Sequence, residues 1–177
     1  MPRDRPIGDR PRFSPVPLNR PTTYQEAVVC PLFPQALDKT PVTCTIVCMN
    51  IVSDTNIFLA VVLDEPEKEN IIQATSGANA ISPEILHYEI GNALTAMVKR
   101  KQLTQDESLS AFEAVRAIPV RLVSVDIQEA LKLALEHNIY AYDAYFLQCA
   151  RNLACPLITL DKRMKKVAYE LNIEVVE

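Results

Sequence analysis

The chain has 177 residues, 49% of them hydrophobic and 23% charged, with a formal net charge of −4. That composition suits a soluble globular domain and excludes a polycation drawn to nucleic acid by charge alone. No apolar run approaches the ~18 residues that span a bilayer, and the N-terminal arginines are not followed by the continuous apolar stretch of a secretory leader. The five cysteines (Cys30, Cys44, Cys48, Cys149 and Cys155) are odd in number, which argues against a disulfide framework. Only His87 and His137 could join them at a zinc ion, so a structural zinc site is not expected. A reducing cytoplasm is the expected compartment, with no membrane partner.

Nine of the 13 prolines precede residue 50. Such a density prevents sustained helix or central strand. With Arg3, Arg5, Arg10, Arg12 and Arg20, residues 1–46 read as a disordered, mildly basic tail. It is either a solvated tail, an overlong gene start, or an arm that touches RNA or a partner. "MNIVSDTNIFLA", residues 49–60, itself reads like a beginning, and Met49 is a candidate true start. Residues 47–177 are the expected folded domain.

From there apolar runs and helical periods alternate. Strands are expected at 45–53, 79–82, 120–125, 156–160 and 173–176. Helices are expected at 55–63, 66–75, 83–101, 104–116, 126–138, 142–153 and 162–171. The first spacing that fixes a helix face is Ile127, Ala130, Leu131, Ala134 and Leu135; the second is Met164, Val167, Ala168 and Leu171. About five strands alternating with about seven helices imply an α/β domain around a mostly parallel central sheet.

A sheet of that kind carries its functional groups at the carboxyl ends of its strands. Asp54 lies just past the first strand and Asp161 just past "PLITL". Both could equally be helix N-caps. Asp126, with Glu129 three residues on, shows the structural version in a capping-box pattern and is set aside. Glu89 is harder to place. In "SPEILHYEIGNALTAMVKRK", Ser82 and Pro83 read as cap and first helical residue, and Leu86, Ile90, Ala93, Leu94 and Met97 form the apolar stripe. Glu89 lies on or beside that stripe, where an unpaired charge costs several kcal/mol. In "AYDAYFLQCARNL", Asp143 either caps its helix or shares a face with Phe146, Leu147 and Ala150. Four acids from four elements would repel and take up protons unless a cation joined them. Hard ions such as Mg²⁺ or Mn²⁺ prefer oxygen-only ligands, and the chemistry such sites perform is phosphodiester hydrolysis or phosphoryl transfer.

These stretches resemble the PIN-domain ribonucleases, and within them the VapC toxins of toxin–antitoxin pairs. The likeness runs over about residues 47–177. It rests on "VSDTNIFL" with Asp54, "PEILHYEIGNAL" with Glu89, "YDAYFLQCA" with Asp143 and "LITLDKRM" with Asp161. The resemblance implies a PIN-like fold in which these four carboxylates are catalytic and hold one or two Mg²⁺ (or Mn²⁺) ions. It also implies that Asn56 and Thr159 orient ligands or water. Its implied substrate is single-stranded or loop RNA, cut to a 5′-phosphate and a 3′-hydroxyl. The implied partners are a cognate antitoxin and a second copy of the chain as a homodimer. The tail before Met49 departs from the family pattern.

Basic and aromatic residues near these motifs are further candidates. Lys162 and Arg163, beside Asp161, are the expected RNA contacts, whereas Lys99, Arg100, Lys101, Lys165 and Lys166 fit solvated helix faces better. Tyr88, Tyr142 and Tyr145 could stack bases, though packing is the commoner use of such rings. Two rivals stand beside the nuclease reading. One is a catalytically silent PIN-like module that only binds RNA or protein. The other is a receiver-like signalling domain, which needs adjacent acids after the first strand and a Lys-Pro after the last; this chain has neither.

Overall fold

A computed structural model of the protein describes residues 49–177. The expected tail over 1–46, and the part of the first expected strand before Met49, lie outside the described residues. The elements run β1 (Asn50–Ser53), α1 (Thr55–Val62), α2 (Lys68–Ala74), β2 (Asn79–Pro83), α3 (Leu86–Lys99), α4 (Gln105–Arg116), β3 (Val120–Val123), α5 (Ile127–His137), α6 (Ala141–Leu153), β4 (Leu157–Ile158), α7 (Lys162–Glu170) and β5 (Val175–Val176). The five strands form one sheet in the order β3-β2-β1-β4-β5, and every neighbouring pair is parallel. A receiver-like order of 2-1-3-4-5 is therefore not adopted. Among the described residues no helix is long and apolar enough to cross a membrane.

The strands read as unbroken apolar runs because helices cover both faces of the sheet. Successive strand residues point to opposite faces. Val52 and Leu157 enter the larger core, with Ile81, Leu86, Ile90, Phe146 and Leu147, while Ile51 and Ile158 enter a smaller one with Ile57, Ala60 and Ile71. The larger core gathers the inner faces of α3 to α7 with Phe58 and Leu59 of α1; the smaller takes Ile57 and Ala60 of α1 with Ile71 of α2.

Two expectations are corrected here. Ser82 and Pro83 do not start a helix. They extend β2, paired with Leu122 and Val123 of β3, and α3 begins at Leu86. The fully buried Ser82 hydroxyl donates to the Ser53 carbonyl at 2.6 Å, so the serine serves the sheet where its sequence suggested a cap. On α5 the buried residues are Ala130, Leu133 and Ala134, whereas Ile127, Leu131 and Leu135 are exposed. The two alanines were correctly placed inward; Ile127, Leu131 and Leu135 lie one step around the helix, outside the core. The apolar stripe of α3 at Leu86, Ile90 and Leu94 is buried as expected.

Sheet order fixes where a site can form. The chain winds outward from β1 to β2 and β3, then crosses back to β4 and β5 on the other side. The crevice at the carboxyl ends of β1 and β4 is thus the topological switch point, where open parallel sheets bind ligands.

Candidate active site

β1 delivers Asp54 to that crevice, and the Asp54 backbone N–H donates to the Ile158 carbonyl of β4 at 3.1 Å. The side chain is only 5% exposed. Its Oδ1 accepts the Thr55 N–H at 2.6 Å, and its Oδ2 accepts Asn56 Nδ2 at 2.6 Å and Thr159 Oγ at 2.7 Å. Asn56 cannot turn its amide over, because its Oδ1 accepts the Leu160 N–H at 3.1 Å. Thr159 Oγ in turn accepts the Asp161 N–H at 3.0 Å. Asn56 and Thr159 therefore bolt the end of β1 to the end of β4, with Asp54 between them. Burial, chiefly, and the charges of Glu89 and Asp143 raise the Asp54 carboxyl to about 7, against the opposing hydrogen bonds from Thr159 and Thr55.

Glu89 is half-buried near the start of α3, and its Oε2 accepts Thr55 Oγ at 2.7 Å. Burial raises its carboxyl, Asp143 adds to the rise, and the Thr55 bond opposes it. Asp143, half-buried in the first turn of α6, is also raised, first by burial and next by Asp161, against Arg163 and a backbone hydrogen bond at Tyr140. It is not the cap of its helix: Tyr140 holds that position without a side-chain bond. Asp161 does cap. Its Oδ1 accepts the N–H groups of Arg163 and Met164 at 2.7 and 2.8 Å at the exposed start of α7. Asp126 is a plain cap of α5, accepting the Gln128 and Glu129 N–H groups.

The four acids thus lie within each other's electrostatic reach, linked Asp54–Glu89, Asp54–Asp143, Glu89–Asp143 and Asp143–Asp161. Among the described residues, however, no three Asp, Glu, His or Cys side chains close into a set that could hold an ion unaided. The donors are all oxygens, and burial with mutual repulsion raises three of the carboxyls, Asp54, Glu89 and Asp143. This fits a small hydrated cation held by one or two carboxylates at a time, as Mg²⁺ prefers, better than a dehydrated cage.

Thr55 escaped the sequence reading. It stands between two acids, its backbone N–H on Asp54 and its hydroxyl on Glu89. Its only sequence signal was a hydroxyl residue beside the first acid. Lys162 is exposed at the rim; Arg163, which lowers the Asp143 carboxyl, directs its guanidinium to the Asn138 carbonyl. Lys165 and Lys166 pair with Glu177 and Glu170, and Lys99, Arg100 and Lys101 are exposed around the end of α3. Tyr142 and Tyr145 meet edge to face with centroids 6.0 Å apart.

The family model for the PIN domain matches residues 51–170, which takes in all four acids and most of the domain. The chain belongs to the PIN-domain family. Within it, the chain is 27% identical over 121 residues to Ribonuclease VapC3 of Pyrobaculum aerophilum, covering 66% of this chain and 92% of that one. The fold is shared with two solved structures, both at 14% identity. PAE2754 of the same organism superposes with a TM-score of 0.53 over 70% of this chain and 96% of its own. VapBC2 of Rickettsia felis, solved bound to a DNA fragment from its promoter, gives 0.52 over 72% and 97%. The PIN fold accounts for the β3-β2-β1-β4-β5 sheet and its carboxyl-end crevice.

Proposed function

We propose that this PIN-domain chain is a divalent-metal-dependent endoribonuclease, the toxin of a toxin–antitoxin pair. The observation that carries the reading is Asp54, which caps α1 as its sequence allowed but is buried at the switch point of the sheet, held by three donors and within electrostatic reach of Glu89 and Asp143. A structural cap can stay exposed, as Asp126 does. The sequence likeness to a VapC ribonuclease supports the same conclusion.

Asp54, Glu89, Asp143 and Asp161 would hold Mg²⁺ or Mn²⁺. Bound there, the ion supplies charge to neutralise the phosphodiester and to make a water acidic enough for in-line attack. The remaining tasks fall to the protein. Asn56 and Thr159 donate to one oxygen of Asp54, favouring its anionic form against the cost of burial. Thr55 fixes one oxygen of Glu89 and leaves the other free to bind. Asp161 uses Oδ1 as the cap of α7 and keeps Oδ2 for the site. Arg163, anchored at Asn138, sets positive charge beside Asp143, and exposed Lys162 is placed to meet an RNA phosphate. The proposed setting is the cytoplasm, with RNA as substrate, an antitoxin as inhibitor and a homodimer as the working form. The antitoxin is supported by the fold shared with VapBC2.

The test is cleavage of single-stranded RNA by the purified chain in Mg²⁺ or Mn²⁺, in EDTA, and after Asp54→Asn or Asp143→Asn. Cleavage in metal only, and a fall of at least a hundredfold in either variant, is expected. Parental-rate cleavage in EDTA or by both variants overturns the reading. The second reading is a PIN module that binds RNA or protein without cutting it. That module predicts RNA binding with no cleavage in either metal.

A further inference from the structure

Among the described residues, the two most exposed aromatic side chains are Tyr140, at 80%, and Tyr88, at 71%. Both adjoin the acids. Tyr88 immediately precedes Glu89 on α3. Tyr140 stands one helical turn before Asp143, and its backbone hydrogen-bonds that carboxyl. We infer that Tyr140 and Tyr88 are stacking platforms for unpaired nucleobases, and so select single-stranded RNA for the site beside them. This rests on the ribonuclease reading and adds its specificity-determining residues.

Local structure gives Tyr140 no other task. It occupies the N-cap of α6 in an extended conformation (φ −73°, ψ 150°) and makes no side-chain cap bond. Ser, Thr, Asp or Asn would stabilise that position by about 1 kcal/mol. The chain places there instead a large ring that the core does not bury. Residues that break a local rule without local gain concentrate at functional sites. The segment bearing the ring is also held in place: Arg163 donates to the Asn138 carbonyl two residues before it, and the Tyr140 carbonyl accepts the Ala144 N–H at 3.2 Å. The platform is therefore presented from a fixed backbone.

Charge points the same way. The chain carries a net −4 and the crevice holds four acids. Among the described residues beside Asp161, Arg163 donates to the Asn138 carbonyl and Lys162 is exposed. Contacts that do not depend on salt would add to whatever attraction the cations of the chain supply. Base–aromatic stacking is such a contact, and it requires bases that are not already paired in a duplex. Exposed tyrosines also occur at protein interfaces. Their position beside Glu89 and Asp143, and not along the apolar row of α5, favours RNA.

The test measures binding of the full chain to a labelled single-stranded RNA of about a dozen nucleotides in EDTA, where cleavage is not expected, across a range of salt. Tyr140→Ala should weaken binding about tenfold and Tyr88→Ala should weaken it severalfold, with little change in the salt slope. Tyr140→Phe should bind like the parent, because the ring and not the hydroxyl stacks. Lys162→Ala should lower the salt slope instead. Thermal melts check that the exposed substitutions leave the fold intact. Parental affinity in both alanine variants overturns the inference. So does a Tyr140→Phe loss equal to that of Tyr140→Ala, or a change in sedimentation without a change in RNA affinity, which assigns the ring to a protein contact. A parent that cuts RNA but ignores both tyrosines refutes only this inference. A parent that neither binds nor cuts RNA refutes the ribonuclease reading, and this one with it.

Discussion

Asp54→Asn removes a charge that the fold buries at a cost, and that cost can be worked out. The carboxyl is raised from 3.8 to about 7, chiefly by burial. At about 1.4 kcal/mol per unit, ionising it in the metal-free folded chain costs about 4 kcal/mol. The sign follows from the direction of the shift. The unfolded chain releases this proton near pH 4 and the folded chain keeps it until near pH 7. The contribution of this group to stability is therefore fullest below pH 4, falls as pH rises through the window from about 4 to 7, and stays reduced above it. Asparagine carries no charge, but it cannot accept all three donors. If its oxygen receives Asn56 and Thr159, its NH₂ faces the Thr55 N–H, and that lost bond costs about 1–3 kcal/mol. The net expectation at pH 8 in EDTA is a variant more stable than the parent by about 1–3 kcal/mol, although inactive. Urea melts followed by circular dichroism between pH 4.5 and 8.5 measure it. The parent should lose stability across the window and the variant should lose much less. Adding Mg²⁺ at pH 8 should raise the parental midpoint more than the variant's, because the variant lacks one of the four proposed ligands. A parent with flat stability between pH 4 and 7, or a variant less stable than the parent at pH 8, would show that Asp54 is no strained carboxylate.

Two substitutions probe the groups around it, and a third serves as a control away from the site. Thr159→Val keeps the shape but removes the hydroxyl that donates to Asp54 and accepts the Asp161 N–H. The acid limb of the cleavage pH profile should move upward and the fold should lose about 1–3 kcal/mol; an unmoved profile contradicts the role given to the threonine. Thr55→Val frees Glu89 Oε2 while leaving the backbone bond to Asp54, so cleavage should fall about tenfold at subsaturating metal and recover as Mn²⁺ is raised. A loss that no metal concentration rescues counts against that assignment. Asp126→Ala removes only a helix cap; it should cost about 0.5–2 kcal/mol in melts and leave cleavage per folded molecule unchanged.

Local pattern revealed most of the fold, and the reason lies in β1 and β4. Their neighbouring residues face different cores, Ile51 against Val52 and Leu157 against Ile158. Such strands must be apolar at every position, and each must then stop abruptly where the chain leaves the sheet. The stops are Asp54 and the Thr159–Asp161 pair, so two of the acids were visible as breaks in hydrophobic runs. Glu89 and Asp143 were visible for the opposite reason, as charges inside helical faces that are otherwise buried. The misreadings came where two structural solutions share one local sequence. "SP" before an apolar run serves a helix start as well as a strand end, and only the pairing of β2 with β3 decides it.

Thr55 was illegible for a different physical reason. Its partner Glu89 lies 34 residues away, as Thr159 lies 103 from Asn56, and no periodicity encodes a hydrogen bond of that span. The sequence supplies the acids locally, but the sheet order brings them together. It seats β1 against β4 at the switch point, and only then can Asn56 and Thr159 share Asp54. The strain in the site has the same origin. Each acid is tolerable where its own element places it; convergence and burial together raise three of them. The metal ion proposed for catalysis would relieve that repulsion, so its binding would also stabilise the fold.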